Sequence, residues 1–412
     1  MDEVSTSPDQ IADATDILTD PETDWPVWRG PNGNNIANCD SAPVEWSSSR
    51  NVVWKTEIPG RGHSSPCVVG DRIYLATADE KAQKQSVLCL NRNDGKQLWQ
   101  TEVHSGGFTS NSQMHPNSTH ANGTVACDGT NLFIGFLNGE KIHATSLTLD
   151  GKIRWTKPLG YFQSKFGFAA SPCLHGALAI FAADNSGGAF MAAIHRESGD
   201  LVWRKSRNNV ATYSSAIVAS IADKDQLLIS GDNRVASYDP LTGEENWSCS
   251  GTAEATCGTV VWNESFVFAS GGYPDRQTIC VDASTGKEVW TGREKCYEQS
   301  MLLAGGHLYA VTDDGIAICR EAATGKITWR ERLEGPISAS PLLVGDNIYA
   351  TNERGSTWVF KASPDSYQEV ARNQLGNIAF ASMVACENRI YARVATGGRG
   401  SWRETFYCIG QE

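Results

Sequence analysis

Hydrophobic residues along this chain come in short bursts rather than in helical stripes. "SMLLAG", "HLYAVT" and "GIAICREA" alternate or stay apolar for a few residues, then break at Gly, Asp or Asn. Such runs predict short β-strands, and the three-to-four spacing of a long amphipathic helix is absent from them. The same grammar returns in "SASPLLVGDNIYAT" and "ASMVACENRIYARV": a small-residue start, an apolar run, a turn, and a second, alternating run. Each unit therefore predicts four strands, A to D, joined by tight turns.

Between strands C and D the pattern hardens into a motif. "RNDGKQLW", "LDGKIRW", "ESGDLVW", "PLTGEENW", "DASTGKEVW" and "AATGKITW" end at Trp99, Trp155, Trp203, Trp247, Trp290 and Trp329. Gly always precedes Trp by four residues, and successive Trp residues counted from Trp54 lie 39–56 residues apart. A period of about 40–50 residues marks a propeller or a solenoid. Gly after Asp, Ser or Thr supplies the positive-φ position of a tight turn. The Trp on strand D is then placed to fill the wedge between neighbouring blades, with roughly 150–250 Å² of burial.

Unit starts near Ser65, Thr124, Ser171, Ser215, Cys257, Ser300, Ser340 and Ser382 make eight blades. The seventh lacks its Trp and carries Val370 about where the ring should stand. The eighth stops after strand C at "TFYCIG", while "NVVWKTEI" around Trp54 has no A–B–C set of its own. An all-β, eight-bladed propeller of four-stranded antiparallel blades follows, closed by residues 52–58 onto the last blade. Closure removes the two exposed edges that an open solenoid would leave. The expected organisation is an acidic flexible segment over residues 1–24 and a single propeller over residues 25–412.

Composition narrows the partners. The net charge is −12, but residues 1–24 hold eight acids and no Lys or Arg, which leaves the remainder near −4. No basic stripe with interleaved aromatics runs along it, so nucleic acid is not an expected partner. No apolar stretch is long enough to span a bilayer. The 12 cysteines include no CxxC and no adjacent pair. Cys67 and Cys89 fall on strands A and C with B between them, roughly 9–10 Å apart and beyond disulfide reach. Most of the thiols are expected to behave as small buried apolar groups.

The "DxxTGKxxW" repeat resembles the pyrroloquinoline-quinone-type (PQQ-like) β-propeller repeat. "WPVWRGPNGNNIA" at 25–37, with "HPNSTHANGTVACDG" and "LGYFQSKFGFAASP", is similar to secreted PQQ-like propeller proteins of planctomycete type. That resemblance implies an exported protein, periplasmic or extracellular, and a monomer. Two relatives of the repeat imply different functions. The barrel-assembly lipoprotein propeller implies a non-enzymatic scaffold, here binding a small polar ligand, a glycan or an envelope protein. The quinoprotein alcohol and sugar dehydrogenases imply an alternative, an oxidoreductase using PQQ and calcium at the propeller axis. This chain has neither their vicinal Cys pair nor an evident carboxylate cluster for calcium, so neither cofactor is expected. A kinase is excluded because no Gly-rich phosphate loop with a catalytic-loop Asp occurs.

In such blades the D–A and B–C loops share one face and the A–B and C–D turns share the other. The D–A insertion 101–120 and the B–C loops "TADEKAQKQ", "SGGYPDRQ" and "ATGGRGSWRE" are the irregular ones, which is where binding tends to be built. Aligned strand-A starts place His63, Tyr213, Glu298 and Phe380 in one slot at the channel mouth. His120, Phe168, Glu254 and Tyr297 are expected in the slot before it, with Arg61 just upstream. Ser, Ala and Gly would satisfy the fold there, so these larger polar and aromatic groups are the expected ligand-binding set. His104, His115 and His120 match no tight metal-ligand spacing, and no nucleophile–base set is evident, so no metal site and no catalytic residue is expected.

Overall fold

The computed structural model describes residues 4–5 (backbone only), 17–109, 114–398 and 401–411. Eight sheets of four antiparallel strands form an eight-bladed propeller. Blade one runs through Cys67–Val69, Arg72–Asp79, Lys84–Asn91 and Gln97–Ser105, and the same plan repeats to blade seven. Blade eight takes Val384–Cys386, Arg389–Thr396 and Arg403–Ile409, then is completed by Val52–Ile58 from the other end of the sequence. Trp54 pairs with Cys408 in that antiparallel ladder. At the blade-three edge, Val4 and Ser5 pair with Arg204 and Trp203 as a fifth strand.

The motif Gly and Trp work across blades. The six motif glycines have φ between 69 and 85°, the left-handed turn that the sequence predicts. Each also lies flat on the preceding blade's indole: a Cβ on Gly286 would stand 2.7 Å from Trp247, and on Gly151 2.7 Å from Trp99. The same indoles donate to the same turns. Trp54 Nε1 reaches Arg92 O at 3.0 Å, Trp203 reaches Pro240 O at 3.0 Å, and Trp290 reaches Ala322 O at 2.8 Å. "TGKxxW" is thus half of one junction followed by half of the next.

Blade seven corrects one expectation. Its strand D pairs Ala371, not Val370, with Val359, the register in which Trp329 meets Cys319 and Trp290 meets Cys280. Val370 is the bulged residue, exposed like Leu98 and Val289 in their own blades. The neighbouring blade offers no C–D turn for an indole to rest on, because the two ends of the propeller meet there, Gly410 N–H donating to Asn51 O at 3.0 Å. Trp46, from the segment ahead of the closing strand, packs into this sector instead. It is buried and stacked on Tyr349, with centroids 6.1 Å apart.

Blade eight is fastened to blade one by buried charge as well as by apolar packing. Arg393 Nε meets Glu404 at 2.6 Å, its Nη1 donates to Ala76 O at 2.8 Å, and Glu404 accepts the Gly62 N–H at 3.0 Å. Burial strengthens such bonds and makes loss of either partner costly. All 12 cysteines are free thiols and most are buried.

Candidate functional site

Residue 65 and its counterparts are small because the strand starts crowd around one axis. Their hydroxyls also link the blades. Thr124 N–H donates to Ser171 Oγ at 3.0 Å, and Ser171 N–H donates to Ser215 Oγ at 2.9 Å. Thr259 donates to Ser300, Ser300 to Ser340 and Ser340 to Ser382, each at 2.9 Å. Ser382 N–H donates to Ser65 Oγ at 3.1 Å, across the closing junction. Strand geometry alternates side chains, so the residue two before each of these faces the channel again.

That second ring surrounds a well of about 210 Å³. Around it, His63, Asn122, Ala169, Tyr213, Cys257, Glu298, Ser338 and Phe380 come from blades one to eight in order. Tyr297, Phe166 and, from the 101–120 insertion, His115, Asn117 and Ser118 also line it. Of the eight residues expected at the mouth, His63, Tyr213, Tyr297, Glu298 and Phe380 are brought together here. His120 is buried elsewhere, its ring stacked on Phe108 with centroids 4.0 Å apart. Phe168 packs edge-on against Phe162 and over Gly135. Glu254 is exposed and does not line the well. These three lie three to five residues before their ring position (Thr124, Ser171 and Thr259), in D–A loops that share no register: Tyr297, three before Ser300, lines the well, and Phe168, three before Ser171, does not.

The floor is the feature that sequence reasoning missed. Residues 17–46 cross the opposite, turn-bearing face, and "WPVWRGPNGNNIA" is their middle. Trp25 exchanges backbone bonds with Val68, Cys127 N–H donates to Pro26 O, and Ala37 N–H donates to Leu343 O. Arg29 is fully buried, and donates to Gly33 O at 3.0 Å and to Met301 O at 2.9 Å. Burial pulls its guanidinium down to about 9. Trp28 donates to Thr259 Oγ1 at 2.9 Å and presents its ring to the well. The channel is therefore a blind well, open only toward the D–A and B–C loops. A non-periodic segment carries no strand signal, and it stood out only by its family resemblance.

The electrostatics are those of a mostly neutral cup. No described lining residue is Lys or Arg. Burial, with Arg61 and Arg393 nearby, drops His63 to about 3, so its imidazole stays neutral. Its ring stacks on Phe380 at 4.6 Å, and Nε2 has no hydrogen-bond partner. Burial lifts Tyr213 to about 12, and its hydroxyl bonds Ser164 Oγ at 3.0 Å. Glu298 is open to the well yet walled in by protein, which raises its carboxyl, with Ser338 opposing the effect through a hydrogen bond and Glu353 and Asp313 adding to it. Burial also pushes the Cys257 thiol well up, away from a nucleophilic thiolate. The set is suited to holding a molecule by shape, stacking and one carboxyl group.

Residues 43–160, 83–331 and 300–364 match the family described as outer membrane protein assembly factor BamB. The chain belongs to that family. It is 21% identical over 377 residues to the BamB of Burkholderia pseudomallei (strain K96243), covering 84% of this chain and 86% of the relative. Among solved structures, BamB from Moraxella catarrhalis superposes with a TM-score of 0.63 at 16% identity, over 86% of this chain and 99% of that one. A europium-containing methanol dehydrogenase gives 0.72 at 11% identity, over 95% and 98%. The quinohemoprotein alcohol dehydrogenase from Comamonas testosteroni gives 0.67 at 11%, over 99% and 83%. At these identities the superpositions establish the shared propeller, and BamB-family membership rests on the family match. No helix among the described residues is long and apolar enough to cross a membrane.

Proposed function

We propose that this BamB-family propeller is a non-enzymatic, exported binding protein that takes a polar ligand, a glycan or a segment of an envelope protein into its mouth. The single observation that supports this most is the blind well: a closed floor, an aromatic wall and a surround of irregular loops on one face only. Membership of a family described by outer membrane protein assembly favours the envelope as its setting. The lining residues do not suit the quinone alternative. A quinone bearing three carboxylates calls for cationic partners, whereas the well offers a neutral His63 and a repelling Glu298. Among the described residues no group of three or more His, Cys, Asp or Glu could hold a metal ion.

Two measurements test the reading. After addition of PQQ and calcium, the absorbance spectrum should show no bound quinone, and dye-linked alcohol or sugar oxidation should stay at background. Turnover there would overturn the proposal. In a screen of glycans and purified envelope proteins, the Tyr213→Ala, Glu298→Ala double variant should lose whatever the parent binds, with its melting temperature nearly unchanged. Binding that survives this change but is lost on altering the C–D turns would place the site on the opposite face.

A further inference from the structure

Charge and ring placement in the well point to one ligand class. In a ring of eight blades, four and eight are opposite one another, so Tyr213 on blade four faces Phe380 on blade eight across the well. Phe380 stacks with both His63 and Trp402, at 4.6 and 6.4 Å between centroids, and Phe166 meets Tyr213 edge-on with centroids 5.5 Å apart. Trp28 supplies an aromatic floor. On the perpendicular diameter, Glu298 of blade six faces Asn122 of blade two. Glu298 is thus the one carboxylate on the described lining, in a wall rich in aromatic rings. The cations behind the wall are already paired: Lys295, beside Glu298, with Asp313 at 3.0 Å, and Arg61 and Arg393, beside His63, with Glu80 and Glu404.

Taking the binding-well reading as its base, we infer that the well receives an organic cation: an alkylated ammonium head held among the rings of Trp28 and Tyr213 and paired with Glu298. The ring quadrupole attracts a cation lying over an aromatic face, and more strongly where water is excluded. A large, weakly hydrated head such as a trimethylammonium gives up little on leaving water, so a neutral aromatic cup with one acid suits it better than it suits a small, strongly hydrated ion. An anion finds no Lys or Arg on the lining, and a neutral ligand of the same shape would bring no counter-charge to the acid, whose own side-chain hydrogen bond is to Ser338.

The test uses choline and its neutral tert-butyl isostere as probes of the full chain, read by calorimetry and by saturation-transfer NMR. Choline should bind, and the neutral isostere should bind at least about tenfold more weakly. Glu298→Gln should weaken choline by about the same factor while leaving the isostere unchanged. Tyr213→Ala should weaken both probes, and the melting temperature of each variant shows that it is folded. A tripeptide bearing trimethyl-lysine that displaces choline, while its norleucine counterpart does not, would assign the head to a partner's side chain; failure to displace it would assign a free small cation. Equal binding of choline and its isostere, both lost in Tyr213→Ala, would overturn the cation inference and leave the binding well standing. Choline affinity unchanged in Glu298→Gln, or no choline binding at all, would also overturn it, and the glycan and protein screen would then judge the well by itself.

Discussion

The two faces of this propeller are built on opposite principles. The turn face is regular and sealed: its motif glycines rest on neighbouring indoles, and residues 17–46 lie across the axis and bond to the strand-A ends or their small-residue starts in blades one, two, five, six and seven. The mouth face is irregular, and its loop side chains line an open well instead of fastening blade to blade. One face spends its sequence on closing the ring, while the other carries groups that the fold does not require. Damage to the turn face should therefore register as lost stability, and damage to the mouth as lost binding.

The largest effect should follow deletion of residues 1–46, which keeps the closing strand 52–58 but removes the floor. Trp25 and Trp46 are both nearly fully buried, and with Arg29 and its carbonyl partners their loss should lower stability by upwards of about 5 kcal/mol. Hydrogen exchange in that variant should show blade seven opening first, because Trp46 is what packs its outer sector. Blade seven as protected as its neighbours would contradict this role for Trp46.

Next come single indoles, whose cost should follow burial rather than motif membership. Trp203 is fully buried, and Trp203→Ala should cost about 3–5 kcal/mol in chemical denaturation. Trp329 is only half-buried, so Trp329→Ala should cost less, about 1–3 kcal/mol. Equal losses would mean that the indoles act through the shared turn bond and not through area.

A smaller effect belongs to the mouth. Folded His63 refuses a proton until about 3, whereas the unfolded side chain takes one up near 6.5. The unfolded state thus binds more protons in that window, and stability falls as pH drops from about 6.5 toward 3. His63→Asn should flatten that part of the stability profile without altering it near neutrality. An imidazole that titrates normally by NMR would show that the mouth is wetter than its stacking on Phe380 implies.

Much of this was legible in advance, and the exceptions have physical causes. The blade count, the closing strand and the Trp positions could be read because repetition turns weak strand signals into a strong one. A repeat cannot say which copy a residue touches, so the Gly-on-indole contact between adjacent blades stayed hidden. Val370 was misplaced because the bulge in strand D shifts the register by one residue. At the mouth, counting back two residues from the strand-A starts found His63, Tyr213, Glu298 and Phe380, and the same count reaches Asn122 and Ser338; it misses Cys257, the blade-five start by sequence pattern, because the ring position there is Thr259. Counting further back found Tyr297 and failed for His120, Phe168 and Glu254, since loops of unequal length share no register. The floor was illegible because a segment that crosses the axis once has no period.

The account turns on that floor, and amide hydrogen exchange of residues 25–37 tests it most directly. The Trp25 amide is bonded to Val68 at 2.7 Å, Asn35 to Arg29 at 2.8 Å and Ala37 to Leu343 at 2.9 Å. If the segment is an integral plug, these amides should exchange only through global unfolding, as slowly as the central strands of the blades. If they exchange as fast as the mouth loops while the blades stay protected, the channel is open at both ends and the blind well does not exist.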